Sequence, residues 1–213
     1  MGMITTIELT KRRAVIYVDG VVFLRVRRKE YDELPLKEGD ELDEQDYVNR
    51  LCAKQSKEAY EAALDMLADR DMTGAALENA LARRGYLAPV AGAVRQRLTE
   101  NRLIDDRRFA ERFVELRRDG AVGRFALKRR LRAKGVDEET AGEALEQLDD
   151  ESQLEAASAL ARRLAARYKD ADPYAARSKL SQALARRGYA WDIVREAVER
   201  TGLEGDDDFG DSP

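Results

Sequence analysis

Ala80-Leu-Ala-Arg-Arg-Gly-Tyr86 recurs without change as Ala183-Leu-Ala-Arg-Arg-Gly-Tyr189, and Leu131-Arg-Ala-Lys-Gly-Val136 occupies the same frame between them. Gly85, Gly135 and Gly188 therefore mark three modules at similar spacing, the signature of a tandem repeat. Each glycine suits the left-handed residue just past a helix end. The residue after it (Tyr86, Val136, Tyr189) is placed to pack on the leucine of the last turn (Leu81, Leu131, Leu184), as a Schellman cap requires.

One turn earlier the three copies carry Leu77, Leu127 and Leu180. A further helix follows each glycine, with Val90, Val94 and Leu98, or Ala144 and Leu148, or Ile193 and Ala197 on its apolar stripe. Helix starts are signalled by Thr73, by Asp105 and Asp137, and by Asp172-Pro173, with proline at the first helical position. Each module is thus read as a three-helix unit.

Before the repeats, Ile4–Leu9, Ala14–Val18 and Val21–Val26 are rich in β-branched residues, and Asp19-Gly20 is a two-residue hairpin signal. Leu36-Lys-Glu-Gly-Asp-Glu-Leu42 reads as a turn. The expected fold is mainly α: three tandem three-helix repeats in an elongated curved array behind a small N-terminal β-hairpin region. The divisions are 1–50 for that region and a connecting helix, 51–103, 104–149 and 150–201 for the repeats, and 202–213 for a disordered acidic tail.

The chain has no histidine, and Cys52 is its one cysteine, which removes the usual zinc, haem and iron–sulfur ligand sets and histidine-based catalysis. No cofactor is expected, and no enzyme. Without a second cysteine, a signal-like N-terminus or an apolar run of membrane-spanning length, the expectation is a cytoplasmic protein with no membrane contact; a monomer is expected, on no feature of the sequence.

A net charge of −4 conceals segregation. Residues 102–134 and 162–190 are strongly basic, the stretch between them is acidic, and the tail after Arg200 holds Glu204, Asp206, Asp207, Asp208 and Asp211 with no basic residue. Charge runs are often solvated faces, yet the stripe Arg124, Lys128, Arg132 sets three like charges on one helix face, at about 0.2–0.5 kcal/mol per isolated pair. The aligned positions are Gly74, Glu78, Ala82 and Arg177, Ser181, Ala185, so the repeat itself does not require basic residues there. Either nearby glutamates neutralise the stripe or it meets an anionic partner.

The segment Leu103-Ile-Asp-Asp-Arg-Arg-Phe-Ala-Glu-Arg-Phe-Val114, with Gly123 and Leu131-Arg-Ala-Lys-Gly-Val136, resembles the signature of RecX regulatory proteins. The likeness extends over roughly residues 10–200 and leaves the acidic tail outside it. It implies a helical protein that binds within the groove of the RecA recombinase filament and restrains its ATPase, strand-exchange and coprotease activities. The alternative is a helical module that binds single- or double-stranded DNA directly.

Asp105 and Asp106 are read as helix-start residues, and Phe109, Phe113 and Leu116 as a core-facing stripe. Candidate partner or DNA contacts are Arg102, Arg107, Arg108, Arg124, Lys128, Arg129, Arg130, Arg132, Lys134, Arg162, Arg163, Arg186 and Arg187. Arg83-Arg84, Arg186-Arg187 and Lys134 are also explained as cations offsetting a helix C-terminus. Sequence does not separate phosphates from acidic protein as the partner.

Overall fold

The structure is a computed structural model that describes residues 1–117, 121–168 and 172–202. It divides into two compact units, Met1–Asp105 and Asp106–Pro213.

In the first unit, β1 (Gly2–Leu9), β2 (Arg13–Val18), β3 (Val21–Arg27) and β4 (Glu41–Leu42) form an antiparallel sheet in the order β3-β2-β1-β4. The hairpin between β2 and β3 turns on Asp19 and Gly20, at φ 50° and 79°, the doubly left-handed geometry that an Asp-Gly pair favours. The expected turn at 36–42 also contains a strand. Gly39 N–H donates to Ile4 O (2.8 Å) and Ile4 N–H to Asp40 O (3.0 Å), which brings Glu41–Leu42 alongside β1. A short helix, α1 (Arg28–Glu33), follows β3.

Three longer helices complete this unit: α2 (Glu44–Asp69), α3 (Gly74–Arg83) and α4 (Ala88–Glu100). α2 is continuous across Arg50 and Leu51, because nothing in its 26 residues breaks a helix. Thr73 caps α3 by accepting from Ala76 N–H (3.1 Å). One core joins sheet and helices, with Ile4, Ile16 and Val26 from the strands and Leu51, Leu77, Leu81 and Leu98 from the helices.

The second unit holds α5 (Asp106–Glu115), α6 (Arg124–Ala133), α7 (Glu138–Leu145), α8 (Asp150–Ala165), a 3-10 turn (Ala166–Tyr168), α9 (Pro173–Arg186) and α10 (Trp191–Glu199). α5 to α7 enclose Phe113, Leu127, Leu131, Val136 and Leu148, while α8 to α10 enclose Leu160, Leu180, Leu184, Tyr189 and Val194. Asp137 and Asp172 cap α7 and α9 by accepting from Thr140 N–H (2.8 Å) and Ala175 N–H (2.9 Å).

All three repeat glycines have φ near +90°. Tyr86, Val136 and Tyr189 N–H groups donate to Leu81, Leu131 and Leu184 carbonyls, and Gly85, Gly135 and Gly188 N–H groups to Ala82, Arg132 and Ala185 carbonyls. These are the two bonds of a Schellman motif, formed three times. Leu116 departs from expectation: it is 73% exposed, because α5 ends at Glu115 and Leu116 lies in the turn beyond the apolar stripe. Phe109 is half-buried, stacked 6.2 Å from the buried Phe113. The tail expected at 202–213 lies outside the described residues from 203 onward.

Candidate functional site

A glutamine from the first helix of a repeat fixes the start of another helix in both units. Gln55 Oε1 on α2 accepts from Leu87 N–H (2.8 Å) at the head of α4, and Gln153 Oε1 on α8 accepts from Arg124 N–H (3.0 Å) at the head of α6. Neither Leu87 nor Gly123 offers a capping side chain of its own, so these buried amides satisfy backbone donors that would otherwise be orphaned. α6, which carries the basic stripe, is thereby anchored to the third repeat.

The stripe is ion-paired within the fold. Glu138, at the start of α7, accepts from Lys128 Nζ (2.5 Å) and pairs with Arg132 (3.2 Å). Arg124 pairs with Asp150 at 2.9 Å and also donates to Leu148 O. The hydrogen bond from Lys128 and the charge of Arg132 hold the Glu138 carboxyl below its usual range. Two acids thus serve three cations, and the like-charge cost along α6 is offset locally.

Other candidates also have internal work. Arg107 pairs with Glu111 (3.1 Å) and Glu143 (3.6 Å). Lys134 Nζ lies 5.8–5.9 Å from the Phe113 and Phe109 ring centres, a cation–π position. Arg187 donates to Ala183 O (3.4 Å) at the end of α9. Arg108 is exposed on α5.

Arg129, Arg130, Arg162, Arg163 and Arg186 are different: all are exposed, and none has a side-chain partner among the described residues. They lie on α6, α8 and α9 of the second unit. Arg102 shares that condition in the first unit, at φ 56° beyond the end of α4. Arg83 and Arg84, explained from sequence as dipole partners alone, are likewise exposed with no side-chain partner among the described residues. Their signal was present in the repeat, where they match Arg186 and Arg187.

Sequence reasoning missed a part-buried ion cluster in the first unit. Arg27 Nε donates to Glu30 Oε1 (2.7 Å) and its terminal nitrogens bond Glu30 and Glu58, while the guanidinium lies 4.3 Å from the Tyr86 ring centre. Burial works against the charge, but the bonds to Glu30 and Glu58 more than offset it and hold Arg27 firmly protonated. The Glu58 carboxyl is held below its usual range, first by a hydrogen bond from Lys29 and then by Arg27.

Among the described residues no helix is long and apolar enough to cross a membrane. Residues 105–145 match the family model for the second three-helix domain of RecX, and residues 150–198 match that for the third. The chain is 40% identical over 152 residues to regulatory protein RecX of Mycolicibacterium vanbaalenii, covering 66% of this chain and 83% of the relative. It is 31% identical to that of Levilactobacillus brevis, over 98% of this chain and 79% of the relative. A crystal structure of regulatory protein RecX superposes with a TM-score of 0.66 at 27% identity, over 93% of this chain and 100% of that one. RecX from Lactobacillus salivarius gives 0.65 at 27% identity, over 71% and 99% of the two chains.

Proposed function

The chain belongs to the RecX family of regulatory proteins, and we propose that it is a non-enzymatic modulator that binds the groove of the RecA recombinase filament. It restrains the filament's ATPase, strand-exchange and coprotease activities. One observation carries the reading beyond the family: Arg129, Arg130, Arg162, Arg163 and Arg186 of the second unit are exposed with no side-chain partner among the described residues, whereas the stripe beside them is ion-paired within the fold. Unpaired guanidinium groups are suited to carboxylates of a partner, and their value rises once water is excluded.

The repeats at 51–103, 104–149 and 150–201 serve as separate contact modules for successive filament subunits. Several weak contacts made by one chain act at high effective concentration, so occupancy is firm without any single strong site. The protein works in the cytoplasm as a monomer and binds naked DNA weakly.

The test is the DNA-dependent ATPase of the cognate RecA with substoichiometric amounts of this protein. A ligand that spans subunits or stops extension silences many active sites at once, so turnover falls well before equimolar protein. Unchanged turnover at equimolar protein would overturn the reading. Inhibition only in proportion to the DNA present would transfer the activity to direct DNA binding.

A further inference from the structure

Gln55 and Gln153 are the same residue of two repeats. Counting on from each, Ala59, Ala63 and Met66 of α2 correspond to Ala157, Ala161 and Leu164 of α8, and all six are buried. The glutamines are buried as well, at 0% and 2% exposure. Their hydrogen bonds differ. Gln55 closes on its own repeat, at Leu87 N–H, the second residue after Gly85. The second residue after Gly188 is Ala190, and its half-buried N–H donates to nothing among the described residues, while Gln153 is turned to Arg124 N–H in the preceding repeat. Like Leu87, Ala190 stands at the head of the next helix with no capping side chain of its own. α8 packs on α10 as α2 packs on α4, so the frame that lets Gln55 reach Leu87 is present in the third repeat too.

The junction that draws Gln153 away is made by polar groups rather than by a shared core. The core of α5 to α7 and that of α8 to α10 are separate, and the segment leading into α6 touches both, Ala121 against the second and Val122 against the first. Three successive donors at the head of α6 are held by the third repeat: Gly123 N–H by Arg187 O (2.9 Å), Arg124 N–H by Gln153 Oε1 (3.0 Å) and Phe125 N–H by Gly188 O (3.0 Å). Water satisfies such helix-head donors nearly as well, so the net gain from each bond is small. Arg124 Nε is buried at the same place without a partner.

We propose that this junction is a latch with two positions and that Gln153 is its moving part. In the latched position, the one described above, Gln153 holds the head of α6 and leaves Ala190 N–H unsatisfied. In the released position Gln153 Oε1 takes Ala190 N–H as Gln55 takes Leu87 N–H, and the third repeat closes on itself. Water then reaches the head of α6 and Arg124 Nε. The same amide oxygen is satisfied in both positions, so the exchange itself costs little, as a two-state element requires. Released, the second and third repeats keep their own cores but take a different spacing, which lets one chain fit partner sites that are unevenly placed. That use rests on the filament reading; the latch does not.

Amide hydrogen exchange on the full-length protein reads both positions. In the parent, Leu87 N–H should exchange slowly and Ala190 N–H fast. Arg124→Pro removes the donor that holds Gln153; proline suits the first helical position, and Gly123, at φ −79° and ψ 163°, suits the residue before it. Gly123→Ala forces release by overlap, since its methyl group would meet the Gly188 carbonyl carbon at 2.3 Å. Each variant is expected to slow Ala190 exchange at least about tenfold while Leu131 and Leu184, in α6 and α9, stay protected. Adding Gln153→Ala should return Ala190 to the parent's rate. The proposal is overturned by an Ala190 amide as slow as Leu87 in the parent, by an unchanged Ala190 in a variant that keeps Leu131 and Leu184 protected, or by slowing that survives Gln153→Ala. Loss of protection at Leu131 and Leu184 in both variants also overturns it, because the two repeats would then open as one cooperative body. No recombinase enters the measurement, so its failure is separate from failure of the filament reading.

Discussion

The same seven residues end α3 and α9, yet the two ends are used differently. At Gly85 a side chain stands over the cap: a methyl group there would meet Arg27 Cγ at 2.9 Å. At Gly188 it is backbone, with Ala126 N at 2.2 Å and Gly123 N–H donating to Arg187 O (2.9 Å). A repeat therefore dictates how a helix stops, through its cap bonds, but not what rests on the stop. In the first unit the cap receives Arg27 of the ion cluster, and in the second it receives the start of another repeat's helix.

This contrast sets one of the two largest expected effects. Gly188→Ala adds a left-handed alanine, about 1–2 kcal/mol, and an overlap that only backbone movement relieves, about 1–3 kcal/mol more. Gly85→Ala pays the same conformational term but presses on a side chain. In chemical denaturation the loss at Gly188 should be roughly twice that at Gly85. Equal losses would show that the two junctions are equivalent.

Arg27→Met should cost about 3–5 kcal/mol, because Glu30, whose side chain is 4% exposed, loses its partner. Adding Glu30→Gln should restore much of that. If the double variant is no better than the single, loss of packing on Tyr86 rather than a stranded charge explains the effect. Gly123→Ala keeps an ordinary φ of −79° but sets a methyl 2.3 Å from the Gly188 carbonyl carbon, so about 1–3 kcal/mol is expected, all of it steric. Gly135→Val tests the middle cap through backbone strain, at more than about 1 kcal/mol. An unchanged midpoint would remove that cap from the account.

The smallest effect is with acid. Glu58 and Glu138 titrate lower in the fold than in the unfolded chain, so both contribute stability that is fully present above the ordinary carboxylate range. That contribution is lost as pH falls through their lowered values. Glu58→Gln should flatten the acid limb of the first unit and Glu138→Gln that of the second, visible in pH-dependent thermal melts.

The caps, the Asp-Gly hairpin and the leucine frame were legible because each is a local pattern whose residues contact neighbours a few positions away. α1 was not, since its head is held by Arg27 and Glu30 rather than by a serine, threonine or aspartate at the cap. β4 was hidden because two residues carry no periodicity and pairing with β1 alone defines them. The candidate surface was half legible. The sequence displays the cations of α6, but Glu138 and Asp150, which pair with Arg124, Lys128 and Arg132, arrive from later helices. Spacing along one helix holds no record of that pairing.

The central claim is that the unpaired arginines, not the ion-paired stripe, meet the partner. The most direct measurement is equilibrium binding to assembled RecA filaments by two variants, one with Arg129, Arg130, Arg162 and Arg163 all changed to Glu, the other with Arg124, Lys128 and Arg132 all changed to Gln. The account predicts that the first loses at least about tenfold in affinity, the equivalent of 1.4 kcal/mol, and that the second loses less. A first variant that binds as tightly as the parent while the second fails would contradict it.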